Sequence, residues 1–206
     1  MPKRKNKLKK LQVGQLKTNC YLFAGAIIDP GDDFDYIYQT ILDLDFQPKI
    51  IIATHGHFDH LLAVNELKSA FNIPFYLPKK DEVMLAWYRK SCKYYLGFDP
   101  GLPPQVDKFL TLQGPSLHGT EVIPTPGHTP GGICLYSQKD NVLFSGDTIF
   151  AGGAVGRTDF PYCNRQDLEK SIKNLLKLPD ETIVYPGHGE ETTIGGFKQL
   201  YKNHAY

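Results

Sequence analysis

The stretch Thr54-His55-Gly56-His57-Phe58-Asp59-His60 decides how this sequence is interpreted. It holds three histidines and one aspartate, with a single glycine that lets the chain bend. It follows a short, continuous apolar run at residues 49–54, which is typical of a strand buried on both faces of a sheet. Imidazole and carboxylate ligands at this density favour zinc, with iron or manganese as alternatives. We therefore predict a metal site at the end of a buried strand.

A packing role or a helix cap could also account for this stretch. The histidines could pack in a core, or Asp59 could cap a helix that begins near Leu61. A cap, however, does not require three neighbouring histidines. His55 and His57 are two positions apart and can reach one ion from an extended or turning chain, while Asp59 and His60 continue round the turn and can reach a second. We therefore prefer the metal interpretation.

Three later segments each offer one matching ligand beside glycine, and each comes after a predicted strand. Any one of them alone is typical of a simple turn, but four such loops in one chain indicate a shared site. The later segments read Pro-Gly-His-Thr-Pro-Gly-Gly at residues 126–132, Ser-Gly-Asp-Thr at 145–148 and Pro-Gly-His-Gly at 186–189, and they contain His128, Asp147 and His188.

Length and composition predict one domain at residues 11–206, preceded by a basic tail at residues 1–10. The chain has 206 residues, 41% of them apolar, and a net charge of +1. Six basic residues lie in the tail, so the rest carries 17 basic against 22 acidic residues and is a poor nucleic-acid platform. No run approaches the ~18 apolar residues of a membrane span, and no apolar segment follows the basic start. We expect a cytoplasmic protein without a membrane or specific nucleic-acid partner.

Strand and helix patterns alternate along the chain and predict an α/β fold. Periodicity alone does not separate a single α/β sheet from two sheets packed face to face. The four cysteines do not form a C-x-x-C pair, so no disulfide framework is expected. The predicted helices cover residues 33–44, 61–71, 81–96, 166–176 and 195–202, with a proline-rich loop at 97–106.

The four motifs together resemble the metallo-β-lactamase-fold superfamily, and most closely its small glyoxalase II-like (hydroxyacylglutathione hydrolase-like) members. Gly-Arg-Thr-Asp-Phe at residues 156–160, Thr-Asn-Cys-Tyr-Leu at 18–22 and Ile-Asp-Pro-Gly-Asp at 28–32 resemble that group too. The main motifs run from Thr54 to Gly189. The resemblance implies an αββα sandwich, which is two mixed β-sheets with helices on the outer faces.

The resemblance also implies a centre of two divalent ions, with zinc favoured and iron or manganese as alternatives. A hydroxide between the ions would cleave a small-molecule thioester of the S-D-lactoylglutathione type. Asp59 and Asp147 are the implied catalytic carboxylates, and Asp59 would orient the nucleophile or handle a proton. The implied ligands are His55, His57 and His128 for the first ion, Asp59, His60 and His188 for the second, and Asp147 as the bridge.

Two other functions remain open at this point. Persulfide dioxygenases share the fold and use one iron held by a subset of the same ligands. The substrate could also be another ester or a lactone, because only 18 residues follow His188, where longer glyoxalase II enzymes carry a glutathione-binding helical region. Nuclease activity and a non-catalytic scaffold are disfavoured, and the sequence does not predict an oligomeric state.

Substrate contacts are predicted at Arg157 and Phe160. Arginine can bind a carboxylate through two parallel hydrogen bonds, but an internal ion pair between Arg157 and Asp159 is the favoured interpretation. His118 and His204 are predicted to be surface histidines, Cys134 an inert core thiol and Cys163 a loop thiol near the site. A group of aromatic residues could form a wall over the site or could simply pack a helix; its members are Trp87, Tyr88, Tyr94, Tyr95 and Phe98.

Overall fold

Two mixed β-sheets form the centre of the computed structural model, which describes residues 8–110 and 119–201. The first sheet contains β1 (Lys9–Val13), β2 (Thr18–Phe23), β3 (Ala26–Ile28), β4 (Ile50–Ile52), β5 (Phe75–Pro78) and β6 (Lys108–Leu110). The second contains β7 (Glu121–Pro124), β8 (Ile133–Ser137), β9 (Val142–Gly146), β10 (Ile183–Pro186) and β11 (Thr192–Thr193).

Five α-helices accompany the sheets: α1 (Phe34–Asp43), α2 (Val64–Phe71), α3 (Tyr88–Leu96), α4 (Arg165–Leu175) and α5 (Ile194–Tyr201). Short 3₁₀ helices cover Phe58–His60, Lys79–Ala86 and Ala151–Gly153. No helix in the described parts of the chain is both long and apolar enough to span a bilayer.

Both sheets combine parallel and antiparallel pairs. In the first sheet the strands follow one another in sequence order; β1, β2 and β3 pair antiparallel, and β3 to β6 pair parallel. In the second sheet the order is β11-β10-β9-β8-β7, and the β9–β10 pair is parallel while the others are antiparallel. The parallel strands β4, β9 and β10 are each followed by a loop that carries predicted ligands, and the His128 loop follows the antiparallel strand β7.

Three apolar clusters define the layers. The inner faces of the sheets meet in one cluster that includes Ile52 and Phe144. A second cluster packs α1, α2 and α3 on the first sheet, and a third packs α4 and α5 on the second. Because the side chains of a strand alternate, Ile51 of β4 faces the helices while Ile52 faces the other sheet. The αββα sandwich and the doubly buried strand are confirmed.

Several predicted boundaries differ from the structure. The helix predicted at 61–71 begins at Val64, because a 3₁₀ turn at Phe58–His60 precedes it. The helix predicted at 81–96 is two elements, a 3₁₀ segment and α3. With three residues per turn, the 3₁₀ segment turns both Asp81 and Met84 inward, against Gly56.

At the N-terminus, β1 begins at Lys9, so Lys9 and Lys10 belong to the first sheet rather than to the predicted tail. The Lys10 ammonium donates a hydrogen bond to the carbonyl of Gly189 at 2.7 Å. Residues 1–7 of the predicted tail, His118 and His204 lie outside the described residues.

Candidate metal centre

The structure brings all seven predicted ligand residues together at the ends of strands. They form two groups in which the candidate ligand atoms lie within 4.8 Å of one another. Asp147 connects the groups, because its carboxylate oxygens lie 3.6 Å from ring nitrogens of His60, His128 and His188. The two groups are His55, His57, His128 and Asp147, and Asp59, His60 and His188.

In the first group, three imidazole nitrogens converge on one point. His57 Nδ1 lies 3.1 Å from His55 Nε2 and 3.0 Å from His128 Nε2. His128 Nδ1 faces the carbonyl of Arg157 at 2.9 Å, which can only accept, so the proton of a neutral His128 ring lies on Nδ1. The inward Nε2 of His128 therefore presents a lone pair.

The tautomer of His55 follows from a similar chain of contacts. Its Nδ1 lies 3.1 Å from Thr54 Oγ1, and that hydroxyl donates its proton to Asp29 at 2.7 Å. His55 Nδ1 is then the donor to Thr54, and its inward Nε2 also presents a lone pair. The lone pairs of His55 and His128 therefore point at one position beside His57 Nδ1, which is the arrangement that a cation binds. The donor set of the first group thus fits a metal ion.

Burial keeps the rings of His55 and His57 neutral. It lowers the pKa of His55 well below the ordinary value, with the neighbouring histidines adding to the effect. Burial and the charge of His128 lower the pKa of His57 to about 3. Neutral imidazole is the form that binds metals, so neither His55 nor His57 has to lose a proton at neutral pH.

The second group has a different charge balance. Burial alone would lower the pKa of His60, but the charges of Asp59, Asp29 and Asp147 outweigh it and raise that pKa to about 10. Burial would raise the pKa of Asp59, but His60 and a hydrogen bond from His188 hold it below its usual range. The group therefore attracts positive charge.

A small gap lies between the side chains of His60 and Asp147, next to Gly187. Within the described residues, His60 Nε2 and Asp147 Oδ1 are buried without a hydrogen-bond partner and lie 3.6 Å apart. A Cβ atom on Gly187 would lie 2.2 Å from Asp147 Oδ1 and 2.8 Å from His60 Cε1, so a side chain there would fill the gap. Two orphaned polar atoms beside a glycine fit a second cation.

The hairpin formed by β1 and β2 holds the candidate ligand His188 in place. The main-chain N–H of Asn19 donates to the carbonyl of Gly187 at 2.7 Å, and its side-chain amide donates to the carbonyls of Pro186 and Gly189 at 2.9 Å. His188 Nδ1 faces the Leu16 carbonyl at 3.1 Å, which leaves Nε2 directed to Asp59 at 3.3 Å. The hairpin therefore orients His188.

Sequence reasoning missed two buried carboxylates that position the ligand loops. Asp29 adopts a left-handed backbone conformation with φ of 51°, accepts hydrogen bonds from the Thr54 N–H and hydroxyl at 2.7 Å, and lies 3.2 Å from His60 Nδ1. Asp81 accepts from the Gly56 N–H at 2.9 Å, the Thr129 hydroxyl at 2.7 Å and the Gly131 N–H. The position of Asp29 directly after an apolar strand could have indicated its role. Asp81 lies in a stretch of charged residues, and nothing there indicates that it is buried.

Asp81 joins the loops of His55–His60 and His128, and this leads to a prediction. We expect Asp81→Ala to lower the free energy of unfolding by about 2–4 kcal/mol, because it leaves buried N–H groups without an acceptor. Urea denaturation of the purified variant measures this. The adjacent Glu82 pairs with Lys79 on the surface, so Glu82→Ala should change stability by less than about 0.5 kcal/mol. Equal losses in the two variants would contradict the positioning role.

A cleft of about 680 Å³ opens in front of the ligands. Both predicted substrate contacts, Arg157 and Phe160, line it, and so do Trp87 and Tyr95 of the predicted aromatic wall. Of the other wall candidates, Tyr88 packs in the core and Tyr94 and Phe98 are exposed outside the cleft lining. Tyr162, which was not predicted, also lines the cleft and places its hydroxyl 3.0 Å from His57 Nε2.

The favoured ion pair is present: Arg157 binds both carboxylate oxygens of Asp159, at 2.7 and 2.6 Å. Cys163 donates to the His128 carbonyl at 3.0 Å, and burial raises the pKa of its thiol. Cys134 is buried and its pKa is raised to about 11 by burial, as expected of an inert core thiol.

The sequence profile described as "Metallo-beta-lactamase superfamily" matches residues 13–188, which include all seven candidate ligands described above. The chain belongs to the metallo-beta-lactamase superfamily. This membership agrees with the resemblance that the motifs indicated and with the two-sheet fold.

Individual members of the superfamily are similar along nearly the whole chain. Hydroxyacylglutathione hydrolase GloC of Haemophilus influenzae is 35% identical over 92% of this chain and 93% of its own length. The crystal structure of TTHA1623 in a di-iron-bound form superposes with a TM-score of 0.88 at 34% identity, covering 93% of this chain and 98% of that one. The crystal structure of BLEG-1 B3 metallo-beta-lactamase superposes with the same TM-score and identity, covering 97% of this chain and 100% of that one.

Proposed function

We propose that this superfamily member is a two-metal hydrolase that cleaves a thioester, with S-D-lactoylglutathione as the reference substrate. The observation that carries the proposal is the convergence of seven ligand side chains in two connected groups. His55, His57 and His128 would hold one ion, Asp59, His60 and His188 the other, and Asp147 would bridge them. The name of GloC supports the choice of thioester, and a di-iron neighbour supports two ions.

When bound, divalent cations of this kind supply a water of lowered pKa and a Lewis acid for the carbonyl oxygen. The chain supplies orientation. Asp59 Oδ2 lies 3.3 Å from His188 Nε2 and 3.4 Å from the Thr18 hydroxyl, so its carboxylate is held in one position. Because its pKa is low, Asp59 is ionised at neutral pH and can accept a hydrogen bond from the attacking water.

The cleft walls complete the arrangement. Trp87, Tyr95 and Phe160 lie around the space in front of the ligands and would exclude bulk water from a bound acyl group. A thiolate leaves more readily than an amine, so a thioester needs no dedicated acid to protonate its leaving group. We propose zinc as the resident metal, with iron or manganese as alternatives, and a small-molecule thioester in the cytoplasm without a specific nucleic-acid partner.

Removal of the metal tests the proposal. We expect the purified protein to contain two metal ions per chain by elemental analysis, and chelation to lower thioester hydrolysis on the order of 1000-fold, because hydroxide is then no longer available at neutral pH. Hydrolysis should return on addition of Zn²⁺, Fe²⁺ or Mn²⁺. Unchanged hydrolysis by metal-free protein would contradict the mechanism.

Two further measurements separate the alternatives. A single iron per chain with oxygen uptake on glutathione persulfide would support the dioxygenase instead. Faster turnover of a chromogenic cephalosporin than of any thioester or ester would assign the site to lactams.

A further inference from the structure

We propose that the cleft selects a thioester whose thiol portion is uncharged and carries an apolar or aromatic group. A thiol portion recognised through carboxylates, such as glutathione, would bind less well. This inference rests on the proposed hydrolysis and names the class of substrate. It depends on three features of the cleft: its aromatic walls, the state of its arginine, and the lack of another Lys or Arg among the described residues of its lining.

The walls come from two separate segments. Trp87, which immediately precedes α3, and Tyr95, in the last turn of α3, are 51% and 45% exposed. Phe160 and Tyr162 follow the Asp147 loop and stack on each other with ring centroids 5.3 Å apart and an interplanar angle of 23°. Large aromatic side chains left open to solvent in a concave surface are typical of a binding site for an apolar group.

Arg157 is the one Lys or Arg among the residues that line the cleft in the described parts of the chain. Asp159 occupies its guanidinium through two hydrogen bonds, and the Phe160 ring lies 4.2 Å below the guanidinium carbon. A ligand carboxylate that binds the same Nε–Nη2 edge of the guanidinium would have to displace a partner that is tethered two residues away. Such tethering gives Asp159 an effective concentration in the mM range or above.

Other cations near the cleft are also engaged. Lys90 lies 5.3 Å from the centroid of the Trp87 ring but outside the cleft lining, and Lys93 pairs with Asp99 at 2.8 Å. Glutathione carries two carboxylates at neutral pH, and the described residues of the lining offer neither of them an unpaired Lys or Arg. An uncharged substituent avoids the larger cost of desolvating a charge when it leaves water for this surface.

Trp87 provides a readout that does not depend on turnover, because it is the sole tryptophan of the chain. We would titrate the protein with S-benzylglutathione and with S-benzyl-N-acetylcysteamine, two thioethers that share the benzyl group and cannot be hydrolysed as thioesters. We expect the uncharged ligand to quench Trp87 fluorescence with a Kd about tenfold lower, since only the charged ligand must desolvate carboxylates and compete with Asp159 for the Nε–Nη2 edge of Arg157. A lower Kd for S-benzylglutathione, or no quenching by the uncharged ligand, would overturn the inference.

The variant Asp159→Asn tests the role of the ion pair. It removes the charged partner of the Arg157 guanidinium, so the Kd of S-benzylglutathione should fall about five- to tenfold. The Kd of the uncharged ligand should change less than about twofold. Asp99→Asn is the matched control, because Asp99 also binds an arginine, Arg89, through both oxygens, and lies outside the cleft lining. An unchanged Kd for S-benzylglutathione in Asp159→Asn would overturn the role assigned to the ion pair.

Kinetics then separate this inference from the proposed function. The lactoyl thioesters of glutathione and of N-acetylcysteamine should both be hydrolysed, with the higher kcat/KM for the uncharged one. No hydrolysis of either would refute the proposed function. Hydrolysis of both with preference for the glutathione thioester would refute only the selectivity.

Discussion

Replacement of Asp147 by alanine is expected to remove most of the bound metal and to lower thioester hydrolysis on the order of 1000-fold. The candidate ligand Asp147 lies 3.6 Å from ring nitrogens in both groups. Its loss therefore weakens both ion sites, whereas loss of a histidine weakens one. Elemental analysis of the purified variant gives the metal content per chain, and the thioester assay gives the rate.

Two controls accompany this variant. Asp43 is exposed near the end of α1 and accepts a hydrogen bond from Gln39, so Asp43→Ala should keep both ions. His118 belongs to no motif, and His118→Ala should also keep them. An Asp147→Ala protein that still holds two ions per chain would show that the groups do not share this ligand.

The second large effect is expected from Gly127→Ala, next to the ligand His128. Gly127 has a φ of +138°, and a Cβ atom there would lie 2.3 Å from the main-chain nitrogen of Leu168. Neither backbone can move freely, because the Gly127 carbonyl also accepts the Asn164 N–H at 2.8 Å where α4 begins. We expect a loss of about 3–5 kcal/mol in the free energy of unfolding from backbone strain and overpacking together. Urea denaturation measures it, and elemental analysis should show weaker metal binding.

Gly152→Ala provides the comparison. Gly152 also has a positive φ, +75°, but a Cβ atom there meets nothing within 4 Å. Its replacement should cost only the backbone strain, about 1–2 kcal/mol. If both variants lost the same stability, the contact with α4 would not matter for the position of His128.

The candidate ligands could be predicted from sequence because their chemistry is local. Histidine and aspartate beside glycine after an apolar strand form a recognisable pattern, and the alternation of Ile51 and Ile52 follows from the geometry of a strand. The fold class followed from the motifs rather than from periodicity, which left two architectures open.

What could not be predicted depends on partners distant in sequence. Asp81 is buried because N–H groups of two loops point at it, and nothing in its neighbours indicates this. Asp81 makes this contact from within the 3₁₀ segment that is found in place of a regular helix. The Arg157–Asp159 pair was predictable from its spacing, but its consequence for the cleft required the surrounding aromatic side chains.

The contact between the first hairpin and the His188 loop has a consequence for the order of folding. The hydrogen bond from the Asn19 side chain to Gly189 spans 170 residues, so it closes one of the longest loops the chain can form. Closing such a loop costs conformational entropy, and long-range contacts are slow to form. We therefore expect the group of His55, His57 and His128 to form early in folding, and the group that contains His188 to be completed last. Metal ions would then bind one at a time as the chain folds.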